Sequence, residues 1–295
     1  MALNPWLGDR RGYLTDWTTQ LWVRATGSRV DLGQEPWLAG PTGETREIGS
    51  DFFGNFASRQ GLKVRTEASA GLMETFSALS GPDFESSSVH PKVREFYEHT
   101  SQYGLEVWSE WCGAFRPFGR VLAMIFSRRL QQLNMPLTPL ATSRGVSSSV
   151  VQLETEAGES RYTGWVRSNR YSGEIMYVGA YSVARVPGYE SPCVKVAFPL
   201  PNGNATVFMK PKAEPDGSLV LESVGKRFGD PGFYFLVRAG GTDMWVKFLR
   251  TFRERIRIYV EPSGDLRTDH LFTIWRRPFL RLHYHLLPGA SAARS

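Results

Sequence analysis

The sequence predicts an α+β protein: a large antiparallel β-sheet, closed into a barrel-like or sandwich structure and covered by two helices from the N-terminal half. Three observations carry this expectation. From Ser147 onward, strand-like runs follow one another at hairpin spacing with no long helical pattern between them, and hairpin connections impose antiparallel order. Two earlier segments, 90–101 and 118–133, have their apolar residues at helical spacing instead. A sheet of the nine or ten strands readable here is too large to stay open, so it closes or folds on itself.

Residues 1–50 read as a Trp-rich N-terminal arm, with Trp6, Trp17, Trp22 and Trp37 set among Gly, Thr and Pro. Within it, LTDWTTQLWVRA fits a helix capped at Thr15 or Asp16, and its β-branched content fits a strand. Residues 51–288 read as a single α+β domain with an antiparallel barrel-like core, and 289–295 as a disordered tail. LKVRTEASA (62–70) alternates Leu62, Val64 and Thr66 against Lys63, Arg65 and Glu67, the pattern of a half-exposed strand. In HPKVREFYEHTS (90–101), Pro91 suits the first helical position, where no backbone N–H is needed, and Val93, Phe96 and Tyr97 make one apolar face. LEVWSEWCG (105–113) alternates again as a strand. FGRVLAMIFSRRLQQLN is the clearest helical pattern, stopped by Asn134 and Pro136. The later strands begin with a hairpin around Ala157-Gly158 and include turns at Pro215-Asp216-Gly217 and Pro262-Ser263-Gly264, whose residues supply the fixed and positive φ values a turn needs.

The chain has 295 residues, is 41% hydrophobic and 22% charged, and has ordinary globular composition. Aromatic residues reach 13%, enough to line a core or a small-ligand pocket. The net charge of +6 is spread along the chain without a run of five basic residues. Nucleic acid is therefore not an expected partner, although TIWRRPFLRLHYH interleaves Arg276, Arg277 and Arg281 with aromatics. The two cysteines, Cys112 and Cys193, do not make a disulfide framework. The opening MALNPWLGDRRGY has no apolar core of a signal peptide, and the longest apolar run, Val121–Phe126, is too short to span a bilayer. A cytoplasmic location without a membrane span is expected. No G-x-S-x-G, Walker A or G-x-G-x-x-G in strand–helix context occurs, so no nucleotide cofactor, and no cofactor of any kind, is expected.

RERIRIYV has the cleanest period-2 pattern, with Arg253, Arg255, Arg257 and Tyr259 on one face and Ile256, Ile258 and Val260 on the other. Turned into a barrel, the arginine row would bind a carboxylate, phosphate or sulfate. Turned outward, it is a solvated basic face, and the isoleucine face is the natural core face. With Trp108 and Trp165 as aromatic walls, these four residues are the candidate ligand-binding set. His283 and His285 share one strand face and Glu110 sits on a strand beside Glu106; the first three are the acid–base candidates. His-x-His can chelate zinc, but no third ligand is visible, so no metal is assigned. Asp269 and His270 adjoin in a strand and point to opposite faces, so they are not a dyad with each other.

His90-Pro91-Lys92-Val93 with the helix it opens, Trp108–Gly113, Trp165-Val166-Arg167 and GSLVLESVGKRFGDPGF together resemble a family of uncharacterised bacterial proteins. It is the domain of unknown function found alone and attached to YndJ-type membrane proteins. The likeness covers residues 89–275. It implies a His-Pro helix followed by a series of strands, and it implies no activity.

The function expected from these residues is binding of an apolar or amphipathic anionic small molecule, lipid-like in character, in a β-barrel-like pocket. One alternative is a cofactor-independent isomerase, cyclase or lyase that uses Glu and His residues in the same pocket. The other is a protein-interaction module with the Trp-rich arm as its contact.

Overall fold

The computed structural model describes residues 14–44, 48–113, 115, 146–169, 173 and 175–289. The helix expected over 118–133, the opening residues 1–13 and the tail residues 290–295 lie outside the described residues. Three α-helices are described: α1 (Leu14–Thr26), α2 (Phe52–Gln60) and α3 (Pro91–Glu98). The strands are β1 (Ser28–Asp31), β2 (Lys63–Arg65), β3 (Tyr103–Trp111), β4 (Val146–Glu154), β5 (Ser160–Asn169), β6 (Ile175–Val186), β7 (Tyr189–Leu200), β8 (Gly203–Ala213), β9 (Leu219–Glu222), β10 (Phe233–Gly240), β11 (Asp243–Leu249), β12 (Phe252–Val260), β13 (Leu266–Ile274) and β14 (Arg277–Pro288).

Ten of these strands form a closed antiparallel barrel. Around it run β8, β7, β6, β5, β4, β3, β14, β13, β12 and β9, and β9 pairs back onto β8 from Lys210↔Glu222 to Ala213↔Leu219. Strand β8 is shared. Its first half pairs with β10 (Gly203↔Val237 to Val207↔Phe233) and its second half with β9, so β10, β11 and β1 peel away as a flap on the barrel's side. Of the two closures the sequence allows, the chain takes the barrel.

Alternation along each strand fixes which residues face inward. In β12 the inward set is Phe252, Glu254, Ile256 and Ile258, and in β14 it is Leu280, Leu282, Tyr284 and Leu286. The main core fills the barrel and the cap over one end of it. That cap is α3. His90 accepts a hydrogen bond from the Lys92 N–H through Nδ1 at 3.2 Å, and Pro91 occupies the first turn. The helix buries Val93, Phe96 and Tyr97, as its periodicity predicts, and Phe96 meets Tyr103 (ring centroids 5.3 Å) and Trp165 (6.4 Å).

Three segments are settled by the fold and not by their local sequence. The ambiguous LTDWTTQLWVRA is the helix α1, lying against β10 and β11 with Val23 fully buried and Trp22 edge-on to Phe235. A strand there would need a free sheet edge, and β1 already occupies the outer edge of β11. The strand expected over 62–70 is only three residues long, pairing Lys63–Arg65 with Glu154–Gln152. Helix α2, whose FFGNFASRQ was not read as a helix, covers the outside of β4–β6 with Phe52, Phe53 and Phe56. Gly164 makes this possible: a Cβ there would lie 2.5 Å from the Phe53 ring. Among the described residues, no helix is long and apolar enough to cross a membrane.

Lys195 fastens the N-terminal segment to the barrel. It points outward from β7 under the turn Pro36–Leu38, is 3% exposed, and its Nζ donates to the carbonyls of Trp37 (2.8 Å) and Ala39. Burial, with the repulsion of Arg161 added, lowers its pKa from 10.5 to about 7. Below pH 7 the folded and unfolded chains both carry the proton, and the folded state bears the full cost of burying charge. Above it the folded chain releases a proton that the unfolded chain keeps until about pH 10.5. Stability therefore rises with pH through this window, until the buried tyrosines, whose raised pKa values oppose ionisation in the fold, reverse the trend at higher pH. Urea midpoints of the wild type are expected to increase from pH 7 to pH 9, and in Lys195→Met that increase is expected to shrink. An identical slope in the variant would remove Lys195 as the cause.

Candidate functional site

The closed barrel holds a cavity of about 590 Å³, bounded by α3 at one end and bordered by α1 toward the other. Its walls are mostly apolar. At the end away from α3 they form an aromatic collar, with Phe252 centred 4.8 Å from Phe233, 6.0 Å from Phe272 and 5.8 Å from Phe279. Into this apolar chamber the strands project a compact set of polar groups: Arg167 from β5, Tyr177 and Tyr181 from β6, Glu254 from β12, His270 from β13 and Tyr284 from β14.

Arg167 follows Trp165 on the inner face of β5, and the two side chains stack. The guanidinium carbon lies 3.5 Å from the Trp165 ring centroid, 4.8 Å from that of Tyr177 and 5.4 Å from that of Tyr284. The Trp165 indole is fixed from behind, because its Nε1 donates to Ser148 Oγ at 2.6 Å. The Arg167 Nε is buried and has no hydrogen-bond partner, and among the described residues no carboxylate stands within ion-pair distance of the guanidinium. Stacking on three rings recovers part of the cost of this cation, but it leaves a donor unmatched.

The tyrosines add further donors. Tyr177 and Tyr181 share a hydrogen bond between hydroxyls at 2.8 Å, and their side chains lie on one face of β6 because two and four residues separate like positions in a strand. Gly179, between them, leaves the space that the Tyr177 hydroxyl occupies: a Cβ there would sit 2.6 Å from that oxygen. Burial pushes the Tyr177 phenol well above its ordinary pKa and Tyr181 to about 12, with Arg167 opposing the shift in both. Tyr284 is raised too, chiefly by burial. All three remain protonated at neutral pH and can donate to an oxygen acceptor.

Opposite them, Glu254 and His270 form a buried pair. His270 Nε2 is 2.6 Å from Glu254 Oε1, with side-chain exposures of 11% and 6%. Phe272 packs on the imidazole at 4.1 Å between centroids, and the Tyr284 ring lies 6.3 Å away on the Arg167 side of the cavity.

The residues singled out from the sequence fall on both sides of the wall. Trp165 lines the cavity. The Arg253, Arg255, Arg257 and Tyr259 row faces outward, because Ile256 and Ile258 take the inner face of β12. Carboxylates relieve the stacked cations, with Arg255 on Glu222 of β9 at 3.0 Å and Arg257 on Asp216 of the preceding turn at 2.5 Å. Trp108 is 43% exposed on the outer face of β3, 5.9 Å from His283. His283 bonds Asp269 at 2.7 Å and His285 bonds Glu106 at 3.2 Å on the same outer surface, and Glu110 stands opposite Arg281 there. Asp269 and His270 do point to opposite faces. Cys193, buried outside the barrel wall, has its thiol pushed up to about 12 by burial and is unsuited to act as a nucleophile.

The structure thus assembles Arg167, Tyr177, Tyr181, Tyr284, Glu254 and His270, of which none was a sequence candidate for a site. A signal for two of them was present: Glu254 shares the parity of Ile256 and Ile258, and Arg167 that of Trp165. An ionisable side chain on the apolar parity of a strand marks a charge held inside. No protein-family model, curated protein or solved structure matches the chain.

Because Gly179 is the vacancy into which Tyr177 fits, Gly179→Ala is expected to displace that phenol, break its bond to Tyr181 and destabilise the fold by about 1–3 kcal/mol. Urea denaturation measures this, and an unchanged midpoint would mean that Tyr177 does not fill that space.

Proposed function

We propose that the protein binds an amphipathic small molecule with an anionic head group inside its barrel. The observation that carries this reading is the Arg167 guanidinium: a cation with a buried, unpartnered Nε in the wall of an apolar cavity of about 590 Å³. A carboxylate is the natural complement, since it accepts charge-assisted hydrogen bonds from the guanidinium and from the protonated tyrosines beside it. The volume lies in the range of small-ligand sites, and the aromatic collar suits a hydrocarbon body. Trp165 and Arg167 are also the Trp-x-Arg of the likeness to the YndJ-attached family, and the same reading takes that motif as a head-group holder.

Dodecanoate and its methyl ester separate head-group recognition from apolar burial. In a tryptophan-fluorescence titration, Arg167→Met is expected to weaken dodecanoate binding about 10- to 100-fold, the worth of a hydrogen bond to a charged group, while the ester's affinity stays nearly constant. Equal loss for acid and ester would take the head-group role away from Arg167. Failure of the wild type to bind either would take away the reading itself.

A further inference from the structure

We propose that the cavity is also catalytic: His270, positioned by Glu254, moves a proton between carbons of a bound amphipathic carbonyl compound, making the protein an isomerase-type enzyme that needs no cofactor. This rests on the ligand-binding reading, since the same chamber holds the substrate.

The Glu254–His270 pair has no evident structural purpose. The inner positions around it are Ile256, Thr268, Phe272 and Leu282, and an apolar pair would fill the barrel without desolvating a carboxylate. Its arrangement is that of a general base with an orienting group. A carboxylate only accepts hydrogen bonds, so the 2.6 Å contact places the ring hydrogen on His270 Nε2. The lone pair is then on Nδ1, the ring nitrogen that does not contact Glu254. When Nδ1 takes a proton, the adjoining Glu254 carboxylate stabilises the imidazolium.

The other half of the requirement lies across the chamber. Tyr284 stands between the two, with its ring centroid 5.4 Å from the Arg167 guanidinium carbon and 6.3 Å from that of His270. Arg167 and the Tyr177 hydroxyl are preorganised donors facing the same space. In the first step the C–H bond next to the substrate carbonyl breaks and its proton goes to Nδ1. The electron pair forms the C=C bond of an enolate, and the charge on its oxygen is met by a phenol O–H, while Arg167 holds the carboxylate. In the second step Nδ1 returns the proton to the same carbon or, where the substrate has a β,γ double bond, to the γ carbon of the dienolate, which moves the double bond into conjugation. Substrate and product have one formula, His270 ends neutral, and no co-reactant is consumed. Arg167, His270 and Tyr177 are the groups that touch the reacting molecule, and Glu254 is a positioning residue.

The test uses the full chain in D2O with a panel of twelve-carbon oxo acids whose ketone is placed at carbon 4, 6, 8 or 10, so that one member presents its carbonyl to His270 at whatever depth the carboxylate is held. Deuterium uptake is followed by mass spectrometry, and binding by tryptophan fluorescence. The expected result is protein-dependent uptake concentrated in one panel member and lowered about 100-fold or more in His270→Gln, with binding retained. Glu254→Gln, which keeps a hydrogen-bonding side chain at the same place, is expected to lower kcat and leave KM unchanged, a split that general loosening of the fold would not produce. Binding of the panel with no uptake above the His270→Gln background at any ketone position overturns the catalytic inference and leaves the binding reading standing. No binding of any member overturns both.

Discussion

Closure of the barrel rests on four residue pairs between the second half of β8 and the short strand β9, Lys210 against Glu222 through Ala213 against Leu219. The ten strands without that seam would be an open sheet with two edges and one long apolar face in water. With it, the inner faces of β5, β6, β12, β13 and β14 confront one another across a common chamber. Seam residues contribute to the core directly, since Leu219 and Leu221 are almost wholly buried and each stabilises by roughly 1.5–3 kcal/mol. The same seam explains the flap. Because β8 gives only its second half to β9, its first half is free to pair with β10, and the turn of the chain into β10 and β11 provides the surface on which α1 lies.

What the closed chamber contains is at odds with what would best stabilise it. Desolvating one ion costs several kcal/mol even after relaxation. The interior nonetheless carries a guanidinium and a carboxylate, and they are not used to neutralise each other as an ion pair. Arg167 is held by aromatic faces, and Glu254 by an imidazole. Three phenols kept protonated by burial lie near both. Separate stabilisation of two opposite charges inside one small apolar volume keeps both available to a third molecule, and this separation underlies the functional reading. On the outer wall the opposite rule holds: Arg255 and Arg257 are matched by the carboxylates of Glu222 on β9 and Asp216 in the turn before it, where water screens what remains.

Much of the fold was legible because the signals are local. Alternation in RERIRIYV and FLRLHYHL, the Gly-containing turns between strands, and the Pro91-opened helix each follow from a few consecutive residues, and each is present in the structure. Helix α2 escaped because FFGNFASRQ has only nine residues, clusters its aromatics and carries a glycine, so its periodicity is short and its propensity weak. The β2 segment is shorter than its alternation, which continues past Arg65: pairing with β4 ends at Arg65↔Gln152 although β4 itself runs on to Val146, so the end of β2 is not written in its local pattern. The site was legible in parts. An aromatic-lined cavity that includes arginine, glutamate and histidine matches the residue types expected of a pocket. The particular residues could not be anticipated, since Arg167 lies 87 positions before Glu254 and 103 before His270, and only barrel closure brings β5 to face β12 and β13 across one chamber.

The amino-acid sequence by itself determined the strand content, the antiparallel order, the α3 cap and the two-faced character of each strand, because these depend on backbone preferences and on periodicity within a few residues. It left open which face of a strand would be inside. In β12 one face offers Arg253, Arg255 and Arg257 and the other offers Ile256 and Ile258 with a single glutamate among them. The tertiary structure decided for the isoleucines, because burying two branched hydrocarbon chains gains free energy while burying three adjacent cations loses far more. That choice carried Glu254 inward with them, and the pairing of β12 with β13, which puts Glu254 diagonally across from His270, set it 2.6 Å from the imidazole.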